Sequence, residues 1–542
     1  MAERVSAQSA AVSGEEVISD PELAGTPPSD SAAAAGGGGG EIIEDPELSG
    51  SAPSARSGGA SDGGGSSAGS GGGPSSEVHL TLHARGNRDL KQDDPREEIW
   101  ESTAVLSLDA TLRRSERLRF GLGLNARYHF ASLARDLPDA RAERYELDVL
   151  PRAGYVDVSP ASGLHVRAGY QPLPLGRFDL FSGINVLGVA DLRDGPSGIP
   201  GANEVGQLAL LVDYDPVSWL SVRAIYVPFF MPHIVSVLDS DYALFPGNQK
   251  NTDAAYMTLE QLVPLDELRT GLKENLLRGA RDRIAMSTLS AFTPNPNLTR
   301  PQGALRATAH GNFGEISLTF ATALERLPTF RLSDAALAAL SNPDAPRPTD
   351  PRPVSVEYPR FGVLGADVAF DVPPFSIGFE LSYQLHRVQY SVGTAYEGDP
   401  LAVPLPGFTD IAQAGARIEY VETTGWLLGA EAFASYAIST PDDPRRSWMF
   451  LESGHFLRGA AALLGYSAEF GLKLQLAAAW ITGPAVVLAP RISYAFLDAL
   501  ELEVGAFIIE GQAPPMFATP ILSIGGLYNG LDHVFVGIRA AM

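Results

Sequence analysis

The sequence predicts an all-β protein: one antiparallel transmembrane β-barrel of about 18 strands (16–18), preceded by a disordered N-terminal tail. Three observations carry that expectation. Long segments place an apolar residue at every second position, which is strand periodicity. Short turns and long loops alternate along the chain, as in a closed up-and-down barrel with its long connections at one end. No run of eighteen or more apolar residues occurs, so a transmembrane helix is excluded, whereas a barrel strand needs an apolar residue only at alternate positions.

Composition narrows the class further. Of 542 residues, 45% are hydrophobic and 19% charged, below the roughly 25% charge of ordinary soluble domains. The formal net charge of −24, part of it in the tail, argues against nucleic acid as a partner. There is no cysteine, which removes disulfides, thiolate metal sites and cysteine nucleophiles. The first residues, MAERVSAQSAAVSGEE, lack the apolar core of a secretory signal. Val5-Ser6-Ala7 has the small-residue pattern of a signal's cleavage end, which would put the start of the gene product upstream.

Residues 1–76 are Gly, Ser, Ala and Pro with scattered acids, a composition that cannot bury enough apolar surface to order itself. We expect a flexible acidic periplasmic tether. Inside it EVISDPELAG (16–25) is echoed by EIIEDPELSG (41–50). The shared motif, Asp20-Pro21-Glu22-Leu23 and Asp45-Pro46-Glu47-Leu48, reads either as a docking sequence for a periplasmic partner or as a duplicated linker.

From residue 77 to 542 the pattern is that of the barrel. In LRFGLGLNARYHF (118–130), Leu118, Phe120, Leu122, Leu124, Ala126, Tyr128 and Phe130 share one face; Arg119, Asn125, Arg127 and His129 share the other. The segments around 375–390, 469–482 and 499–509 repeat it, with Glu380, Lys473 and Glu503 opposite the greasy face. In all, about eighteen such segments are found, near 77–85, 102–113, 117–131, 143–157, 163–175, 204–214, 218–229, 302–312, 315–325, 356–372, 375–390, 411–421, 424–438, 456–467, 469–482, 485–496, 499–509 and 532–542. Short turns fall at RRSER, SPASG, DPVSW, NFGE, VPPF, ETTG, YSAE and FLDA; only the short join at TGP (482–484) breaks the alternation with long loops. An even strand number puts both ends on the short-turn side, and the last strand can close against the first so that no edge remains. The alternative is a β-sandwich, which would not collect its long loops at one end.

The segment 77–542 resembles Gram-negative outer-membrane β-barrels of the porin class in strand alternation, in turn-and-loop alternation and in its terminal strand. The resemblance implies an outer-membrane location, contact with lipid and lipopolysaccharide, and recognition of the last strand by the barrel-insertion machinery. Members commonly end in Phe or Trp, whereas this chain ends in Met542. In such proteins a loop folds into the barrel and narrows it. Here that loop would be 176–204, with Arg177, Asp179, Asp191, Arg193 and Asp194 as constriction residues. Their charges either set a transverse field across the pore or pair with one another and hold the loop to the wall.

If the apolar face meets lipid, the other lines a lumen. Its expected lining includes Arg119, Arg127, Arg152, Arg167, Arg223, Arg306, Glu380, Glu431, Lys473 and Arg491, with both signs represented. His129, His165, His310 and His386 read as wall residues on separate strands. Tyr128, Tyr155, Tyr226, Trp426, Tyr436, Trp480 and Tyr494 lie near strand ends and read as interfacial girdles. The loop 230–301 carries leucines at near-helical spacing, with Pro264 among them, which predicts one or two short helices. No GxSxG, HExxH or phosphate-loop pattern occurs, so neither a catalytic site nor a cofactor or metal is expected.

The functional expectation is a porin-like channel for passive passage of small polar or charged solutes. The alternatives are an energy-coupled or gated transporter, or a barrel that anchors a structural or assembly protein whose tail and loops hold partners.

Overall fold

A computed structural model describes residues 75–90, 98–133, 143–178, 181–193, 203–234, 300–312, 314–334, 354–393, 405–421, 425–448, 451, 455–468, 470–482, 485–497, 499–511 and 532–542. The two DPEL motifs, Asp179, Asp194 and the segment 235–299 with its expected helices lie outside the described residues.

Among the described residues, eighteen antiparallel strands form one closed ring. They are β1 (Ser75–Asp89), β2 (Glu98–Ser115), β3 (Leu118–Leu133), β4 (Glu143–Ala161), β5 (Leu164–Gln171), β6 (Gln207–Val217), β7 (Leu220–Val227), β8 (Gln302–Gly311), β9 (Gly314–Leu324), β10 (Arg360–Val372), β11 (Phe375–Gly393), β12 (Leu405–Val421), β13 (Trp426–Ala437), β14 (Phe456–Ser467), β15 (Leu472–Ile481), β16 (Ala485–Leu497), β17 (Leu500–Gly511) and β18 (His533–Ala541). Each of the eighteen segments expected from alternation is one of these strands. Successive strands are joined at one end by two or four residues; at the other end the joins are longer, apart from 482–484. The short turns need unusual backbone: at Gly163, φ is +71° and a Cβ would stand 2.7 Å from the Asp215 carbonyl oxygen, so glycine is required there.

Closure is made by β1 and β18, in register from Thr81–Ala541 to Asp89–His533. At the short-turn end Leu80 and Met542 exchange backbone hydrogen bonds of 2.9 and 2.8 Å. A buried ion cluster crosses this seam on the inside. Glu503 of β17, Gly537 of β18 and Arg85 of β1 lie in one cross-strand row. Over the glycine, the Glu503 carboxylate meets Arg85 Nε at 2.9 Å, His83 Nε2 at 2.8 Å and an Arg491 amino group at 2.5 Å. A side chain at 537 would collide with Glu503, since its Cβ would lie 2.3 Å from Oε1.

The outer face is apolar. In β18, Val534, Val536 and Ile538 are exposed while Phe535 is buried inside beneath the Arg85 guanidinium, 4.2 Å from its ring centre. Aromatic pairs ring the outside at two levels: Trp426 against Tyr466 (4.8 Å) and Phe375 against Tyr420 (5.2 Å) by the short turns, Tyr436 against Phe456 (4.9 Å) at the opposite end. From Trp426 to Tyr436 the strand rises about 33 Å. A tilt of about 40° projects this to about 25 Å, the height of the apolar band of a membrane barrel.

Two bulges overturn expectations of strict alternation. Arg152 is an extra residue in β4, between the pairs Gly123–Ala153 and Leu124–Pro151. It shifts the following residues by one, so Tyr155 faces the lumen instead of a girdle, with Arg167 stacked 4.5 Å above its ring. In β11 the register slips between Gln384 and Arg387. His386, at φ 61°, is turned out of the lumen and stacks on Phe408 at 4.0 Å.

Val536, 61% exposed at the middle of β18, tests what surrounds the barrel. Val536→Arg should destabilise the barrel in lipid vesicles by about 2–4 kcal/mol in urea titration. A change within about 0.5 kcal/mol, typical of a watery surface, would contradict a lipid-facing wall.

Candidate functional site

The join between β5 and β6, described at 172–178, 181–193 and 203–206, turns back into the barrel. Its contacts run over lumen-facing residues of β6 to β13 and also reach β4. Two devices hold it there.

The first is an apolar anchor. Leu173, Leu175, Ile184, Val186 and Leu187 bury themselves against Ala209, Leu211, Ile225, Val227, Ala304, Ala321, Ala323, Phe361 and Val363 on the inner faces of β6 to β10. Farther round, Phe181 stacks on Phe433 of β13 at 4.4 Å. Glycines open the wall to receive the loop: a Cβ at Gly365 would stand 2.5 Å from Ile184 Cδ1. Full burial of one such aliphatic side chain is worth roughly 1.5–3 kcal/mol, so five of them fix the loop firmly. Sequence reasoning assigned this face to polar residues. The signal that could have revealed it is the loss of alternation in ALLV (209–212), AIYV (224–227) and TFATAL (319–324), where both faces turn apolar.

The second device is polar. The Glu380 carboxylate, buried in the wall of β11, accepts hydrogen bonds from Ser182 Oγ (2.9 and 3.0 Å) and from the backbone N–H groups of Gly183 (2.6 Å) and Ile184 (3.2 Å). Gln384 Nε2 donates to the Gly183 carbonyl (2.9 Å) and Gln413 Nε2 to that of Phe181 (2.5 Å). A loop crossing a lumen has lost its own ladder, and these side chains satisfy its backbone. Arg177 joins two wall acids, donating from Nε to Asp367 at 2.9 Å and from an amino group to Glu315. Arg306 bonds both Asp367 (2.8 Å) and the Leu175 carbonyl (2.6 Å). Asp367 is 1% exposed, and two guanidiniums offset its charge.

At its far end the loop pairs with its own return segment and is tied to residues 233–234 after β7. Val189–Ala190 pairs with Glu204–Val205, and Asp191 bridges to Ile234. Arg193 donates to Asp191 (2.9 and 2.7 Å) and reaches Asp148 of β4. The side chain of Arg326, almost wholly buried, donates to the Leu187 carbonyl at 2.8 Å and to that of Met231. Thus Arg177, Asp191 and Arg193 are each engaged with the wall or the loop itself.

Elsewhere on the inner face, acids and bases alternate as close pairs. Arg119 and Arg167 share Asp157 (3.0 and 2.9 Å), Arg152 meets Asp109, Arg223 meets Asp213 (2.7 Å), Lys473 meets Glu501 (3.3 Å) and Arg417 lies 3.7 Å from Glu431. Arg127 is buried among the wall residues of β3. Asp367, Glu315, Ser182, Gln384 and Gln413 were not singled out from the sequence, because only the fold shows which wall positions the loop reaches.

No family model matches the chain, and no curated protein matches it. Among solved structures it is similar to OmpF of Salmonella typhi in complex with daunomycin, at 8% identity and a TM-score of 0.37 over 86% of this chain and 97% of that one. It is also similar to OccAB1 of Acinetobacter baumannii (10%, 0.42, 86% and 96%) and to a BenF-like porin of Pseudomonas fluorescens Pf-5 (9%, 0.41, 86% and 98%). With TM-scores below 0.5, the barrel assignment rests on the chain's own closed ladder.

Glu380→Ala would leave two donors of the loop, the Ser182 hydroxyl and the Gly183 N–H, without their acceptor, each worth roughly 1–3 kcal/mol. We expect trypsin to cut at Arg177 or Arg193 more than about tenfold faster in this variant, tenfold corresponding to about 1.4 kcal/mol. Equal cleavage rates would show that Glu380 does not hold the loop.

Proposed function

We propose that this chain is a porin-like channel in the outer membrane of a Gram-negative bacterium, passing small polar or charged solutes without energy coupling. The observation that carries this reading is a charged barrel interior narrowed by a loop that is anchored to the wall. A solute moving past the loop meets a surface of paired acids and guanidiniums. A polar solute can exchange hydrogen bonds with such pairs, while an apolar one would strip water from them without return. Filtering is then steric and electrostatic.

A gated channel is the second reading, and one observation favours it. The hydrogen bonds donated by residues 182–184 to the wall converge on one carboxylate, Glu380, so loss of that group would loosen this part of the loop. The tail motifs fit docking of a periplasmic partner under either reading.

Refolded protein in planar bilayers, recorded at two salt concentrations beside a variant lacking residues 176–204, tests the proposal. We expect stable wild-type conductance that scales with salt and rises severalfold in the variant. Silence of the wild type with conductance only in the variant would replace the open channel by the gated one.

A further inference from the structure

Three residues that no sequence motif connects meet at the short-turn mouth of the lumen. Ser221 follows the β6–β7 turn, and His310 and Glu315 flank the β8–β9 turn, paired across it. All three project inward. Ser221 Oγ lies 3.2 Å from His310 Nε2, and His310 Nδ1 lies 2.8 Å from Glu315 Oε1.

For a neutral imidazole the partners assign the proton positions. Glu315 also meets the Arg177 guanidinium through Oε2, so its carboxylate is ionised and can only accept hydrogen bonds. The proton of the neutral imidazole must then reside on Nδ1. Nε2 is left as an acceptor, and Ser221 is the donor to it. A hydroxyl donating to an imidazole that is oriented by a carboxylate is the arrangement by which serine is activated as a nucleophile, recognised by geometry and not by chain position. Arg177 is itself held by Asp367 at 2.9 Å, so the inner loop positions the acid.

We propose that Ser221, His310 and Glu315 form a hydrolytic site for small carboxylic esters at the mouth of the lumen. Ser221 Oγ attacks the ester carbonyl carbon as His310 Nε2 takes its proton. Collapse of the tetrahedral adduct breaks the bond to the leaving alcohol, which receives that proton, and leaves acyl-Ser221. Water attacks the acyl carbon, giving one proton to Nε2; the serine oxygen departs and recovers it, and a carboxylic acid is released. Glu315 is a positioning residue that keeps the imidazole in the required tautomer. The His310 side chain is 40% exposed, so the site suits small activated esters whose leaving groups need little help. This activity depends on the barrel wall and on Arg177, not on the passage of solutes.

A second serine–histidine contact supplies an internal control. Ser159 Oγ lies 2.8 Å from His165 Nδ1, the ring nitrogen that the acid occupies in the first group, and among the described residues no carboxylate bonds its Nε2. The full chain, refolded in detergent and checked by heat-dependent gel mobility, would be treated with a fluorophosphonate and mapped by mass spectrometry. Hydrolysis of 4-nitrophenyl acetate would be followed in parallel. We expect modification at Ser221 and not at Ser159, and a fall in kcat of about 100-fold or more in Ser221→Ala and His310→Gln. Glu315→Gln should lower kcat with KM unchanged. An unmodified Ser221 in folded protein, or His310→Gln turning over at the wild-type rate, would overturn the proposal. Should a variant fail to fold, labelling of the wild type alone still decides.

Discussion

A wall that stands in hydrocarbon must satisfy every backbone N–H and C=O within itself, and a sheet does so only by closing. Here closure falls on the pairing of β1 with β18, and one buried carboxylate guards it. Glu503 reaches His83 and Arg85 across Gly537, joining three consecutive strands at the seam. Burial penalises this charge, while its cationic partners and hydrogen bonds offset the penalty; removal of one partner from such a cluster commonly costs about 3–5 kcal/mol. The glycine is part of the device, because any side chain would stand where the carboxylate lies. The seam therefore links sequence to topology through a residue with no side chain.

Closure at eighteen strands creates an interior too wide for wall side chains to fill. The inner loop answers this. It takes an apolar patch that would otherwise face water and turns it into a core, and it borrows hydrogen bonds from Glu380, Gln384 and Gln413 in place of a ladder. The same loop delivers Arg177 to Asp367 and Glu315. Fold, narrowing and the chemistry proposed at the mouth are thus coupled through one segment, and a change in its anchoring would be felt at both.

Most of the architecture was legible in the sequence, since a strand with an apolar outer and a polar inner face must alternate and the turns at one end are short. All eighteen strands lie where periodicity put them, and the lumen positions of Arg119, Arg223, Glu380 and Lys473 follow from parity alone. Parity fails at a bulge. One extra residue at Arg152 sends Tyr155 inward, and the slip after Gln384 sends His386 outward; Pro151 marks the first, since proline inside a sheet sits at bulges, while nothing in the local composition marks the second. Contacts between distant strands were equally hidden. Ser221 and His310 are 89 positions apart, and only the register of β7 on β8 brings them together. The apolar seat of the inner loop left a trace in the sequence, as strands greasy on both faces, that reads naturally as lipid contact until the loop is in view.

Residues 182–184 of the inner loop lie inside the barrel against β11. Because the chain contains no cysteine, a single engineered pair reports on this without background. A Cβ at Gly183 would lie 2.1 Å from Ser382 Oγ, so Gly183→Cys with Ser382→Cys should form a disulfide under mild oxidation of the folded protein. After trypsin digestion the loop and β11 peptides should remain linked until reduced. Peptides that separate without reductant, from a barrel shown to be folded, would place the loop outside the lumen and contradict the account.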